Sequence, residues 1–127
     1  MLKIFSENTD SEYPQRIFET GRVFNQRENK SLEEKEKLSA ALVSGNFTEM
    51  KQVLLHLFNM IGINAALKEP LKFPTHFIEG RVAEIFLDEK SLGFLGEIHP
   101  KILKNWKIKM PVALFEIELE KVFEKLV

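Results

Sequence analysis

Glu97 and His99 are the residues of this 127-residue chain that most resemble catalytic equipment. They stand in "GFLGEIHPKIL", Gly93 to Leu103, with a carboxylate two places before an imidazole. Residues two apart in a strand share a face, so Glu97 could orient His99 as a general base, with Arg81 as a third member of a small active site. Such a pair needs a nucleophile, and no serine, threonine or cysteine accompanies it in an elbow-like context. The structural reading is that both side chains satisfy backbone groups where a strand passes into a helix, by capping the turn before Pro100. Metal chemistry has less to stand on. The three histidines, His56, His76 and His99, form no HxxxH or HxH, and the chain has no cysteine, so the ligand spacing of a zinc site is missing. Gly93 and Gly96 do not make the GxGxxG of a dinucleotide loop.

The elements that would position these residues follow from composition and periodicity. The length fits one domain, and 44% hydrophobic with 29% charged residues fits a globular chain with a solvated surface. A net charge of −1 gives no overall field to gather nucleic acid. No apolar run approaches the roughly 20 residues of a membrane span, and the start, "MLKIFSENTDSEYP", is no signal peptide. We therefore expect a cytoplasmic domain without membrane contact. Eleven phenylalanines against one Trp and one Tyr read as core packing, since Phe brings area without a polar group to satisfy.

"QRIFETGRVF" reads as a strand with a bulge at Gly21, "NQRENKSLEEKEK" as a charged loop, and "LSAALVSG" as a short buried strand. The clearest helix is "NFTEMKQVLLHLFNMIG", with Phe47, Met50, Leu54, Leu57, Phe58 and Ile61 on one face, Asn46 and Glu49 in capping-box position, and Gly62 closing it. A short edge strand falls within "INAALKEPLKFPTHFIEG". "RVAEIFLD" and "LGFLGEIH" form a hairpin around "DEKS". Pro100 opens a short helix with Ile102, Leu103 and Trp106 inward. "PVALFEIELE" alternates as a half-buried strand expected to run through Leu119, with Ala113, Phe115, Ile117 and Leu119 on one face and Val112, Leu114, Glu116 and Glu118 on the other. A helix over "LEKVFEKLV" ends the chain. The fold class is α+β, a mostly antiparallel sheet with helices on one face.

The order of these pieces carries a resemblance. "YPQRIFETGRVF", "LSAALVSGNFTEMKQVL", "HFIEGRVAEIFLD" and "LGFLGEIHPKILKNWKIKMPVALFEIELEKV" together resemble the catalytic-core-like last domain of the β subunit of archaeal and eukaryotic phenylalanyl-tRNA synthetase. "FIEGR" (with Gly80 and Arg81) and "GEIHP" (with Gly96, Glu97, His99 and Pro100) are its most specific parts. The resemblance implies a fold like the class II synthetase core and a single domain over residues 1–127, cut from a longer β subunit, with residues 1–12 the remnant of a preceding helix. It implies a catalytic α subunit as partner in a heterotetramer, with tRNA as a further possible contact. It places ATP and Mg²⁺ on the α subunit, and no catalytic residue, cofactor or metal in this domain. The exposed Phe surface and the first helix are where a partner would dock.

The resemblance also marks where an active site has decayed. Active class II motif 2 carries a Phe-Arg-x-Glu pattern; here Asn25 follows Phe24 and Arg27 stands where the Glu would be. Active motif 3 resembles Gly-φ-Gly-φ-Glu-Arg; here Glu116 and Glu118 take the glycine positions and Lys121 the arginine. Two carboxylates on a face meant for a polyanion repel it, by roughly 1 kcal/mol per pair at 4 Å in water and several at intermediate dielectric. A free-standing paralogue acting as an RNA-binding or regulatory module is the alternative reading.

Overall fold

The computed structural model describes residues 15–26 and 32–126. In chain order the elements are β1 (Gln15–Gln26), β2 (Leu32–Val43), α1 (Phe47–Met60), β3 (Ala66–Lys68), β4 (Phe77–Leu87), β5 (Lys90–Ile98), α2 (Pro100–Asn105), β6 (Val112–Glu118) and α3 (Leu119–Leu126). The strands make one sheet in the order β1-β2-β6-β5-β4-β3, with every neighbouring pair antiparallel.

β1 and β2 pair without interruption from Gln15↔Val43 to Gln26↔Leu32. The charged stretch expected as a loop is thus largely strand, and only residues 27–31 separate the two. The ladder outvotes composition here, because pairing satisfies the backbone N–H and C=O groups whatever side chains the strand carries; the register sets Arg22 opposite Glu36. The bulge expected at Gly21 is absent, since Gly21 pairs with Lys37 in unbroken register. The irregularities fall in the β4–β5 ladder instead: β4 carries the extra residues between Phe77 and Val82, and β5 carries one, Leu92, opposite the step from Ile85 to Phe86.

Two cores sandwich the sheet, which corrects the expectation of helices on one face. On one face Met50, Leu54 and Phe58 of α1 and Val122 of α3 pack on Leu42, Leu95, Ala113, Phe115 and Ile117. On the other, Leu103 of α2 and the following Ile108 join Phe77 and Ile98 over Ala41, Val43, Val112 and Leu114. β6 pairs with both β2 and β5, and Val112, Ala113, Leu114 and Phe115 are all buried. It is therefore a doubly covered strand over its first half, and only toward Glu116 and Glu118 does one face open. Leu119, expected as part of this strand, is instead the first residue of α3.

α1 starts where Asn46 accepts the Glu49 N–H at 2.8 Å. It ends in a Schellman motif, with Gly62 N–H donating to the Asn59 carbonyl and Ile63 N–H to that of Phe58. Buried Ile63 packs in the core beside Phe58, while Ile61, expected on the apolar face, is more than a third exposed. α2 ends the same way, through Lys107 to Lys104 and Ile108 to Leu103. Trp106, expected to point inward, is the C-cap residue and 42% exposed; Ile108 fills the inward place.

The β4–β5 turn is tighter than the four residues "DEKS" suggested. Leu87 pairs directly with Lys90, leaving Asp88 and Glu89 with φ of 50° and 70°, the two left-handed positions of a type I′ turn. Glutamate is poorly suited to that backbone and glycine well suited. Glu89→Gly is expected to stabilise the chain by roughly 1 kcal/mol, read as an increase in the urea midpoint; a decrease would contradict the turn assignment.

Candidate functional site

Two places collect the residues that the sequence singled out. The first is the junction of β4, β5 and α1. Glu97, near the end of β5, accepts the Phe47 N–H through Oε2 and the Arg81 guanidinium through Oε1, both at 3.1 Å. Its side chain is 13% exposed, that of Arg81 61%. The carboxylate thus serves one of the unpaired N–H groups of α1 and sits where the helix dipole favours a negative charge. His99 lies beyond the last residue of β5, with φ −60° and ψ 135°, and caps α2 by accepting the Lys101 N–H on Nδ1 at 3.1 Å. Its own N–H donates to the His76 carbonyl at 2.7 Å, extending the β4–β5 ladder by one rung. Glu97 and His99 are therefore engaged by different helices. Pro100 occupies the first turn of α2, and Arg81 contributes one ion pair with a mostly solvated head.

The glycines of the same junction answer to geometry. Gly80 has φ +81° inside the irregular stretch between Phe77 and Val82, a backbone that other residues adopt reluctantly. Gly96 is buried, and a Cβ there would come within 2.8 Å of both the Arg81 carbonyl and the Phe77 ring.

The second place is the open end of β6. Glu116, Glu118 and Lys121 line one cavity of about 240 Å³ together with Lys37, Pro74 and the β5 residues Ser91 to Phe94. Alternation along β6 sets Glu116 and Glu118 on the face that Val112 and Leu114 occupy further back. Lys121 is tied down inside the chain: Nζ donates to the Ser91 carbonyl at 2.8 Å and pairs with Glu118 Oε2 at 3.2 Å. Ser91 Oγ in turn donates to Glu84 Oε2 at 2.6 Å, so the network fastens α3 to the β4–β5 hairpin. Asn25 lies in β1 opposite Glu33; Arg27 lies outside the described residues, as do residues 1–12.

Sequence reasoning missed His76. It is half-buried, its ring lies against Phe77 with centroids 4.3 Å apart, and the Glu116 carboxylate acts on it electrostatically. Burial holds its imidazole below the ordinary value of 6.5, and the Glu116 carboxylate offsets part of that. No spacing in the chain announces this interaction, because His76 and Glu116 stand 40 residues apart in the sequence. Among the described residues no group of three or more His, Asp or Glu side chains could hold a metal ion.

The three-dimensional likeness is to class II synthetases. The structure of Desulfitobacterium hafniense PylSc, a pyrrolysyl tRNA synthetase, matches 96% of this chain and 45% of its own with a TM-score of 0.71 at 14% identity. A second pyrrolysyl-tRNA synthetase structure from the same organism gives 0.67 at 15%. At that identity the likeness establishes the fold, a class II core. Sequence narrows it: a family model described as "Phenylalanyl tRNA synthetase beta chain CLM domain" matches residues 1–119. The chain belongs to that family. Phenylalanine–tRNA ligase β subunits from Thermococcus onnurineus and Pyrococcus furiosus are 40% and 41% identical over 98% and 97% of this chain. One from Methanocella arvoryzae is 36% identical over 94%. This CLM chain spans 22% of the length of each of these relatives. Among its described residues no helix is long and apolar enough to cross a membrane.

Two outcomes check the geometry of the CLM site. Glu97→Ala leaves an α1 N–H without its charged acceptor and is expected to lower stability by about 1.5–3 kcal/mol, whereas Arg81→Ala, removing an exposed head, should cost under about 1 kcal/mol; equal losses in denaturant melts would refute this ranking. For His76 the folded chain favours the neutral ring, so the unfolded chain takes up the proton first as pH falls through 6.5. Stability from this residue is therefore complete above that pH and declines below it, and His76→Gln should flatten the drop in urea midpoint between about pH 7.5 and 5.5. An unchanged slope would remove His76 from the account.

Proposed function

We propose that this chain is the non-catalytic class II-like domain of a phenylalanine–tRNA ligase β subunit, which supports the catalytic α subunit and the heterotetramer in tRNA(Phe) aminoacylation in the cytoplasm. The observation that carries the reading is the state of the open end of β6. The residue aligned with the motif 3 arginine, Lys121, donates to Ser91 and pairs with Glu118, and Glu116 and Glu118 line the same cavity. A triphosphate entering there would meet two carboxylates and, among the described lining residues, no arginine; Lys37 stands at the same cavity, while Lys121 would have to leave both partners to reach the ligand. The chain accordingly binds no ATP, and the ATP and Mg²⁺ of the whole enzyme belong to the α subunit. Glu97 and His99 act as helix caps in this reading, which leaves the domain without an acid–base pair.

Support for a partner comes from apolar surface. Met60 of α1 is 70% exposed, Phe123 and Leu126 of α3 are about half exposed, and Phe18 of β1 is 60% exposed. α1 and α3 cover the same sheet face, so their outer sides offer a second layer a place to pack. Co-expression with the α subunit of a phenylalanine–tRNA ligase from a related archaeon is expected to yield one complex on size exclusion. Phe123→Glu with Met60→Glu, which touches neither core, should dissolve it. Separate elution of the two native chains would contradict the proposal.

A further inference from the structure

At the opposite end of β6 from the two glutamates lies a larger cavity, of about 560 Å³, within the range of ordinary ligand pockets. Its floor is aliphatic: Ile98, Leu103, Ile108 and Val112, with Met110 at the side. Its rim is basic, formed by Lys104, Lys107 and Lys109. From Ile98 to Phe115 the chain holds four lysines and no acid, in a protein whose net charge is −1. Among the described residues none of these lysines has an ion-pair partner. Arg81 and Glu97 also line the cavity; Glu97, the one carboxylate among its described lining residues, is engaged by Arg81 and by the Phe47 N–H.

Lys107 adds an independent observation. It occupies the position after the C-cap of α2 with φ +57°, where helices ending in a Schellman motif place glycine. The equivalent position of α1 is indeed a glycine, Gly62 at φ +77°. A lysine there costs stability that glycine would return, which calls for a use of its charge at the pocket rim.

We propose that this pocket binds an acidic, amphipathic peptide segment of a partner protein, its apolar side chains on the aliphatic floor and its carboxylates against Lys104, Lys107 and Lys109. Charge complementarity selects an anion, and the floor selects among anions. RNA would pair its phosphates with the lysines, but its bases stack on aromatic faces, and among the described residues no aromatic side chain lines this cavity. A peptide with Leu or Phe at helical spacing satisfies floor and rim together. Trp106, the only tryptophan and 42% exposed, stands between Lys104 and Lys107 in the chain and serves as a reporter.

The test is fluorescence anisotropy of the chain with a labelled peptide of about 14 residues, Leu and Phe at i, i+3, i+4 and i+7 and Asp and Glu elsewhere, alongside the Trp106 emission. Saturable binding is expected, weakened at least about 10-fold by Lys104→Glu and to a similar degree when the peptide's Leu and Phe become Ser. Lys107→Gly separates binding from folding: it should weaken the complex several-fold while raising the unfolding midpoint. The proposal is overturned by no saturable binding, by binding indifferent to these changes, or by labelled oligouridine binding more tightly with the same lysine dependence, which would make the surface an RNA contact.

Discussion

β6 is hydrogen-bonded along both edges and packed on both faces over its first four residues, so its position is set by four neighbours at once. A strand held in this way cannot slip by one residue without exchanging its two faces, which would drive Glu116 and Glu118 into the core of α1 and α3. Register is therefore fixed, and with it the site of each chemistry-bearing residue around β6. The glutamates emerge where the cover of α2 and Ile108 stops. α3 begins at the next residue, and its first turns deliver Lys121 back to Ser91 and Glu118.

Polar groups that resemble catalytic parts are consumed in holding elements together. Glu97 joins β5 to α1 and β4, His99 joins the strand end to α2, and Lys121 joins α3 to the β4–β5 hairpin. Each satisfies a helix terminus, a carbonyl or a carboxylate that would otherwise go unpaired, and among the described residues no buried side-chain polar atom is left without a partner. Contacts of this kind hold the class II core in shape without calling on any of these groups for chemistry.

Much of this was legible in the sequence because the signals were local. The helix over Phe47–Met60, with Asn46 as its cap, and the Pro100 start of α2 rest on spacing and on single residues. What was hidden depends on cover or pairing from elsewhere. The half-buried reading of β6 followed from its alternation, yet Val112 and Leu114 are buried because a separate segment lies over them. Residues 32–37 read as loop because no apolar period marks them, while a ladder with β1 makes them strand. Trp106 fitted the apolar spacing of α2, but the helix ends one residue before it and the chain turns to bury Ile108 instead. The link from Glu97 to Phe47 spans 50 residues; its only trace in sequence is a carboxylate in an otherwise apolar strand end.

The central claim is that the acidic end of β6 cannot seat a nucleotide. Amide NMR of the isotope-labelled chain, titrated with ATP and Mg²⁺, reads that surface residue by residue. The account predicts that the amides of Gly93, Phe94 and Glu116 through Glu118 stay where they are at every ATP concentration. Saturable shifts centred on those residues, with Lys121 released from Ser91, would contradict it.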